Sequence, residues 1–144
     1  MRYLIALAFC FLLASPQAHA CQGVFAHVSL FFDAIPDPQP DADVIAKVSL
    51  SNVIYDGSVI VTATVEQVLK TSDARVRRGG KITMRYMESS CGPGAQNGEE
   101  GIIITKTDTD SKGRLVLYPY TYRRSDGLFF QPSCLRFPDY CRLE

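Results

Sequence analysis

The amino-acid sequence predicts an all-β domain, built either as a sandwich or as a small barrel. Apolar and polar residues alternate with a period of two in several short stretches, which is typical of half-buried strands. Glycine, proline, asparagine and aspartate separate these stretches and supply turn chemistry. No segment shows a long apolar pattern of helical period, and strands joined by turns without alternating helices indicate an all-β class.

The first three strands follow one another closely. Residues 44–50 alternate, with Val44, Val48 and Leu50 on one face, and a second β-branched strand covers residues 59–66. Asp56-Gly57 lies between them and predicts a β-hairpin. Residues 82–86 alternate again, so a third strand is expected to end shortly before Cys91.

Two further strands are predicted in "GIIITKT", residues 101–107, and "RLVLYPY", residues 114–120. The "DTDSKG" segment between them begins like a calcium loop, but Lys112 and Pro119 occupy the fifth and twelfth positions, where oxygen ligands are needed. A hairpin turn is therefore expected there. The proline-rich segment before Asp43 is expected to be an extended lead-in, and Asp126-Gly127 allows a last hairpin.

The N-terminus has the order of a secretory signal peptide over residues 1–20. A short basic start precedes the apolar "YLIALAFCFLLA", which is followed by the small-residue site Ala18-His19-Ala20. Cleavage after Ala20 leaves Cys21 as the first residue, so we expect a secreted or periplasmic protein. The alternative is an envelope lipoprotein acylated on Cys21, although Ala18 replaces the branched residue that such signals carry.

The cysteines support simple cleavage. Cys10 leaves with the signal peptide, and the four others form an even set: Cys21, Cys91, Cys134 and Cys141. An oxidising compartment and the absence of a close Cys-x-x-Cys pair favour two disulfides over a zinc site. Four cysteines allow three pairings, of which proximity favours one that includes a Cys134–Cys141 bond.

Size and charge limit the classes of protein. The 124 residues from 21 to 144 suit one domain, and no segment after the signal peptide is apolar enough to span a membrane. Fourteen basic and 15 acidic side chains remain once Arg2 is removed. This balance gives no bulk attraction to nucleic acid, so no nucleic-acid partner is expected.

Catalysis, cofactors and a metal site of its own are not expected. His27 is the only histidine after the signal peptide, and no G-x-S-x-G or H-E-x-x-H motif accompanies it. One aromatic surface is the alternative ligand face: Tyr118, Tyr120 and Tyr122 recur at a period of two and precede Arg123. Such a face can bind carbohydrate or another ligand by stacking. The basic segment from Arg75 to Lys81 is expected to be a solvated loop.

Several segments together resemble the netrin-like module, and within it the N-terminal domain of the tissue inhibitors of metalloproteinases. They are Cys21 itself, "ADVIAKVSL", "VEQVLK", "GGKITMRYMESSCG" and "GIIITKTDTDSKGRLVLYPY". The resemblance implies a five-stranded Greek-key barrel of the OB type, with a short C-terminal extension. It also implies that a Cys21–Cys91 disulfide tethers the N-terminus.

The resemblance implies a function as well. In those inhibitors the α-amino group and carbonyl oxygen of the N-terminal cysteine chelate the zinc of the protease, a role that would fall to Cys21. A neutral α-amine is a suitable zinc ligand because its pKa is only about 8. The implied inhibitory surface is Cys21, Gln22, Gly23, Ser90, Cys91 and Gly92. Gln22 and Gly23 differ from the family, which has a small residue and a second cysteine there.

Overall fold

The computed structural model describes residues 28–87, 92–119, 122–123 and 129–130. All regular elements in these ranges are strands, which confirms the all-β prediction. They are β1 (Val44–Tyr55), β2 (Ser58–Thr71), β3 (Lys81–Met87), β4 (Glu100–Thr109), β5 (Leu115–Pro119), β6 (Tyr122–Arg123) and β7 (Phe129–Phe130).

The first five strands close into a barrel with the order β1-β2-β3-β5-β4, in which β4 pairs again with β1. All neighbours are antiparallel except β3 and β5, which are parallel through Thr83 and Val116. Three consecutive strands followed by one that returns beside the first form a Greek key. The barrel therefore has the five-stranded OB-type architecture, as expected.

The alternation read from the sequence places one face of each strand inside the barrel. Val44, Val48, Val61 and Met84 are at most 1% exposed, whereas Lys47 and Ser49 on the outer face of β1 remain partly accessible. Burial of each such aliphatic side chain contributes about 1.5–3 kcal/mol. The inward-facing strand residues thus form one continuous core, which the barrel needs to remain closed.

An N-terminal strap, Ser29–Asp33, runs along the barrel as an additional extended segment. Phe32 exchanges two backbone hydrogen bonds with Ile102 of β4, at N···O distances of 2.8 and 3.2 Å. Leu30, 2% exposed, belongs to the main core, and Phe32, 4% exposed, lies in a smaller cluster with Ala42, Ile45 and Ile104. The strap, which precedes the proline-rich lead-in, is therefore part of the packed domain.

Gly101 lets the strap approach β4 closely. A Cβ atom at this position would lie 2.7 Å from the Cβ of Phe31, closer than side-chain carbons approach in folded proteins. Phe31 in turn packs against the main core. The absence of a side chain at Gly101 is thus a steric requirement of the strap.

Asp43 joins three strands at the start of β1. Its carboxylate accepts hydrogen bonds from the backbone N–H and hydroxyl of Thr107, at 2.9 and 3.2 Å, and one from Lys106 Nζ at 3.4 Å. Its backbone N–H donates to the carbonyl of Thr105, and its carbonyl accepts from the N–H of Ser72. Burial acts to raise the pKa of Asp43, but these donors and the Lys106 charge outweigh it and hold the pKa below its usual range.

The predicted turns occur where the sequence placed them. Gly57 has φ 62° in the β1–β2 hairpin. In "DTDSKG" the carboxylate of Asp110 accepts the backbone N–H groups of Lys112 and Arg114, which makes the segment a hairpin turn. β6 and β7 pair in antiparallel orientation, and the Asp126-Gly127 turn predicted between them lies outside the described residues. The cysteines, and with them the expected tether, lie outside the described residues.

Replacing Gly101 with alanine tests the steric requirement at the strap. We expect Gly101→Ala to lower the free energy of unfolding by about 1–3 kcal/mol, because Phe31 must move. Gly94→Ala is the matched control, since its Cβ would meet only Tyr55 Oη at 3.9 Å. Urea denaturation followed by circular dichroism measures both variants, and equal stabilities would contradict the close approach.

Replacing Asp43 with asparagine tests the carboxylate network. We expect Asp43→Asn to lower the free energy of unfolding at neutral pH by about 1–2 kcal/mol. The pKa of Asp43 is depressed in the folded state, so its contribution is complete above the ordinary aspartate pKa of about 3.9 and disappears as the pH falls through the lower folded value.

The difference between wild type and Asp43→Asn should therefore shrink at acidic pH in denaturation curves. Asp41→Asn is the control, because Asp41 also binds Lys106, at 3.0 Å, yet its side chain is 92% exposed. It should leave the stability almost unchanged. A difference for Asp43→Asn that stays constant down to pH 2 would rule out the charged network as its cause.

Candidate functional site

Most residues of the implied inhibitory surface lie outside the described residues. This applies to Cys21, Gln22, Gly23, Ser90 and Cys91, and also to Cys134 and Cys141. Gly92 is described and lies, partly buried, in the loop that follows β3. The candidate site therefore consists of the described part of that loop and of the β1–β2 hairpin, which packs beside it.

The β1–β2 hairpin lies beside this loop and exposes two adjacent apolar side chains. We call residues 52–57 the hairpin tip and residues 92–99 the β3–β4 loop. Ile54 is 54% exposed and Tyr55 is 50% exposed, more than the other exposed large apolar side chains of the described barrel, Ile35 and Leu69. Two adjacent exposed apolar residues on a hairpin form a potential contact surface for a protein.

A β-bulge in β1 shapes the hairpin tip. The β1–β2 register shifts between Ser51 and Ile54, and Asn52 adopts φ 53°, the left-handed conformation that asparagine tolerates better than most residues. The backbone N–H of Val53 donates instead to Oδ1 of Asn97 in the β3–β4 loop, at 3.1 Å. The irregular strand is thus attached to the loop by a specific hydrogen bond.

Tyr55 makes a second connection to the loop. Its hydroxyl donates to the carbonyl of Ala95 at 2.8 Å and accepts from the Ala95 N–H at 3.0 Å. Backbone bonds from Gly98 to Leu50 and from Leu50 to Glu99, both 2.8 Å, extend the contact along β1. The aromatic ring is consequently held in one place although half of it faces solvent.

The surroundings of the hairpin tip are acidic. Asp56 and Glu100 are exposed, Glu99 is half-buried, and neither the tip nor residues 92–99 contain lysine or arginine. The nearby Lys47 lies between Glu66 and Glu100, with N···O distances of 3.5 and 3.6 Å. Negative charge therefore borders the apolar pair on the side of the β3–β4 loop, whereas across β2 the row Ile54–Ile60 continues to Arg85.

The strap is connected to the same region through the core. Leu30 belongs to the buried cluster that also contains Tyr86, near the end of β3, and Ala95 of the β3–β4 loop. The chain that leads back toward Cys21 thus packs into the same core as residues on either side of Cys91.

The alternative ligand face is only partly described. Tyr118 is a half-buried residue of β5, whereas Tyr122 lies in β6, and Tyr120 is outside the described residues. Burial raises the pKa of Tyr118, Asp108 adds to the rise, and Arg85 opposes it. The guanidinium of Arg123 forms an ion pair with Asp33 of the strap, so it helps to hold the strap.

The described residues contain no group of three or more histidine, cysteine, aspartate or glutamate side chains that could hold a metal ion. Within the same ranges, no helix has the length and apolar character needed to cross a membrane. His27 lies outside them. The most exposed apolar pair in this part of the barrel is Ile54–Tyr55, and hydrogen bonds hold it in place.

Sequence reasoning missed Ile54 and Tyr55. Strand alternation assigns inward and outward faces only while pairing is regular, and the bulge at Asn52 interrupts it. A signal does exist, because "VIY" places three consecutive apolar residues directly before the Asp56-Gly57 turn. An apolar run at a hairpin tip has few core neighbours available to bury it.

Together, the fold and the site define the class of protein as an OB-type β-barrel with an apolar, braced hairpin tip. No protein-family model, no curated protein and no solved structure matches this chain.

Removing the Tyr55 hydroxyl tests the brace. We expect Tyr55→Phe to lower the free energy of unfolding by about 0.5–1.5 kcal/mol, because two hydrogen bonds to Ala95 are lost. Hydrogen exchange at the amides of Ala95 and Val53 should accelerate, since the loop and the tip would separate more often. Tyr118→Phe is the control, and unchanged exchange in Tyr55→Phe would show that the tip is held by other contacts.

Proposed function

We propose that the protein is a non-catalytic protein-binding domain that uses the hairpin tip and the β3–β4 loop as its contact surface. The exposed and braced pair Ile54–Tyr55 carries this proposal. In this proposal the protein acts after export, in the secreted or periplasmic space, and needs no cofactor.

The energetics of association support this use of the pair. Tyrosine is enriched among the residues that dominate binding energy, because it buries a large area and loses little side-chain freedom. The two bonds from Tyr55 to Ala95 already restrict its ring, so less ordering cost remains on binding. The half-buried Arg123, by contrast, is already engaged by Asp33, which makes the tyrosine face the weaker candidate.

A narrower version of the proposal is inhibition of zinc metalloproteases. The resemblance of the chain to the tissue inhibitors of metalloproteinases supports it, as does the position of the hairpin tip beside the loop that follows Cys91. The N-terminal amine of Cys21 would then bind the zinc of the protease, and the tip would contact the protein surface around the active site. Zinc sites of such enzymes keep one position open for a ligand.

Inhibition assays on a panel of zinc metalloproteases test this version. We expect protein that begins at Cys21 to inhibit at least one member, and an extra alanine before Cys21 to abolish inhibition because it displaces the amine from its chelate ring. Ile54→Ser should weaken inhibition about tenfold or more, which is the loss expected for a buried contact residue. Leu69→Ser is the control, because Leu69 is 37% exposed but lies near the far end of β2.

The outcomes separate the two levels of the proposal. Inhibition that survives the added alanine but not Ile54→Ser would retain the contact surface and reject zinc chelation by the amine. Equal inhibition by Ile54→Ser and wild type would remove the hairpin tip from the interface. Failure to inhibit any protease of the panel would reject the inhibitor proposal.

A further inference from the structure

A row of basic side chains runs along the barrel on the side of β2 and β3. Lys81, Thr83 and Arg85 alternate with buried residues of β3 and therefore share its outer face. Arg77 and Arg78 lie in the turn just before this strand, which is closed by a 2.9 Å bond from Gly80 N–H to the Arg77 carbonyl. We call Arg77, Arg78, Lys81 and Arg85 the cationic strip.

The strip is attached firmly to the barrel. The N–H of Val65 donates to the carbonyl of Gly80, and the N–H of Gly79 donates to the carbonyl of Val65, at 2.9 and 2.7 Å. The end of the turn next to β3 is thus hydrogen-bonded to β2 at Val65. The cations therefore project from a fixed backbone, not from a long free loop.

None of the four cations forms an ion pair with any described residue. Other cations of the same surface do: Arg75 binds Asp73 at 2.6 Å, and Arg114 binds Asp110 at 2.7 Å. The contrast is sharpest within the β2–β3 connection, where Arg75 is neutralised locally and its neighbours Arg77 and Arg78 are not. The strip thus offers positive charge that the described part of the protein does not use.

Hydroxyl groups border the cations on the same face. Thr83 lies opposite Thr62, and Lys81 opposite Thr64, in the antiparallel pairing of β2 with β3. Residues two apart on one strand face are separated by about 6.6 Å, so Lys81 and Arg85 lie about 13 Å apart along the strand. This spacing presents an extended row of charged and neutral hydrogen-bond donors.

We propose that the cationic strip binds an acidic polysaccharide, a sugar chain that carries sulfate or phosphate groups. Fixed cations attract the anionic groups, and threonine hydroxyls can hydrogen-bond to sulfate oxygens and sugar hydroxyls. Single-stranded nucleic acid fits less well, because its sequence-tolerant binding depends on exposed aromatic platforms. Tyr118 is the described aromatic residue beside Arg85, and it is half-buried next to Asp108.

This surface goes beyond the proposed contact site, from which it differs in residues and in charge. The hairpin tip is apolar and acidic, whereas the strip is polar and basic. One molecule could therefore be held on an anionic sugar chain through β3 and still present Ile54 and Tyr55 to a protein.

Binding of heparin, a sulfated polysaccharide, tests the proposal. Labelled heparin fragments are titrated with the purified protein at several salt concentrations, with neutral dextran and a single-stranded DNA oligonucleotide as comparison ligands. We expect saturable heparin binding that weakens with salt, no dextran binding, and weaker DNA binding at equal ionic strength. Charge-driven binding has a linear dependence of log K on log salt concentration, whose slope reports the number of ionic contacts.

Two double variants that each remove two positive charges test whether heparin binds at the strip. Arg78→Gln with Lys81→Gln should weaken heparin binding at least fivefold and reduce the salt slope by about two. Lys70→Gln with Arg75→Gln removes the same charge away from the strip and should change affinity less than twofold. Thermal unfolding confirms that both variants are folded.

Three results would overturn the proposal. Absence of heparin binding to wild type would reject it directly. An equal loss in both double variants would show that net charge, not the strip, governs binding. Tighter binding of the DNA oligonucleotide than of heparin would assign the strip to nucleic acid.

Discussion

The double pairing of β1 is the constraint on which the rest of this structure depends. Residues 44–49 of β1 pair with β2 on one side and with β4 on the other, so that Ala46, for example, lies between Val68 and Ile103. This arrangement closes the barrel and satisfies the backbone groups on both edges of the strand. It also puts the apolar face of each strand into one interior, where Val44 and Ile103 are fully buried.

The candidate contact surface arises where this double pairing ends. β4 begins at Glu100, so its pairing with β1 ends at Ser49. Beyond that point the β3–β4 loop takes the place of β4 and forms hydrogen bonds with Leu50 and Val53 of β1. The bulge at Asn52 turns the remaining strand toward that loop. The exposed apolar tip is therefore rigid because the barrel supplies backbone partners to an otherwise free strand edge.

The distribution of charge carries more information than its total. Lys and Arg together number 15, as do Asp and Glu, so the chain has no formal net charge. Nevertheless, the ionisable side chains of the hairpin tip and the β3–β4 loop are acidic, apart from Tyr55. The cationic strip, in contrast, places four cations on β3 and on the turn before it, and none of them forms an ion pair with a described residue. Opposite fields on separate surfaces can recognise different partners, which a neutral total conceals.

The sequence by itself determined the five barrel strands, the β1–β2 turn and the inward faces where pairing is regular, because period-two alternation and Asp56-Gly57 are local signals. Resemblance further suggested the OB-type order, which the closed barrel confirms. The tertiary structure alone decided which loops meet: the bond between Tyr55 and Ala95 joins residues 40 positions apart, and the contact of Phe31 with Gly101 spans 70. The sequence near these residues does not predict either contact, because the closure of the barrel brings the two residues of each pair together.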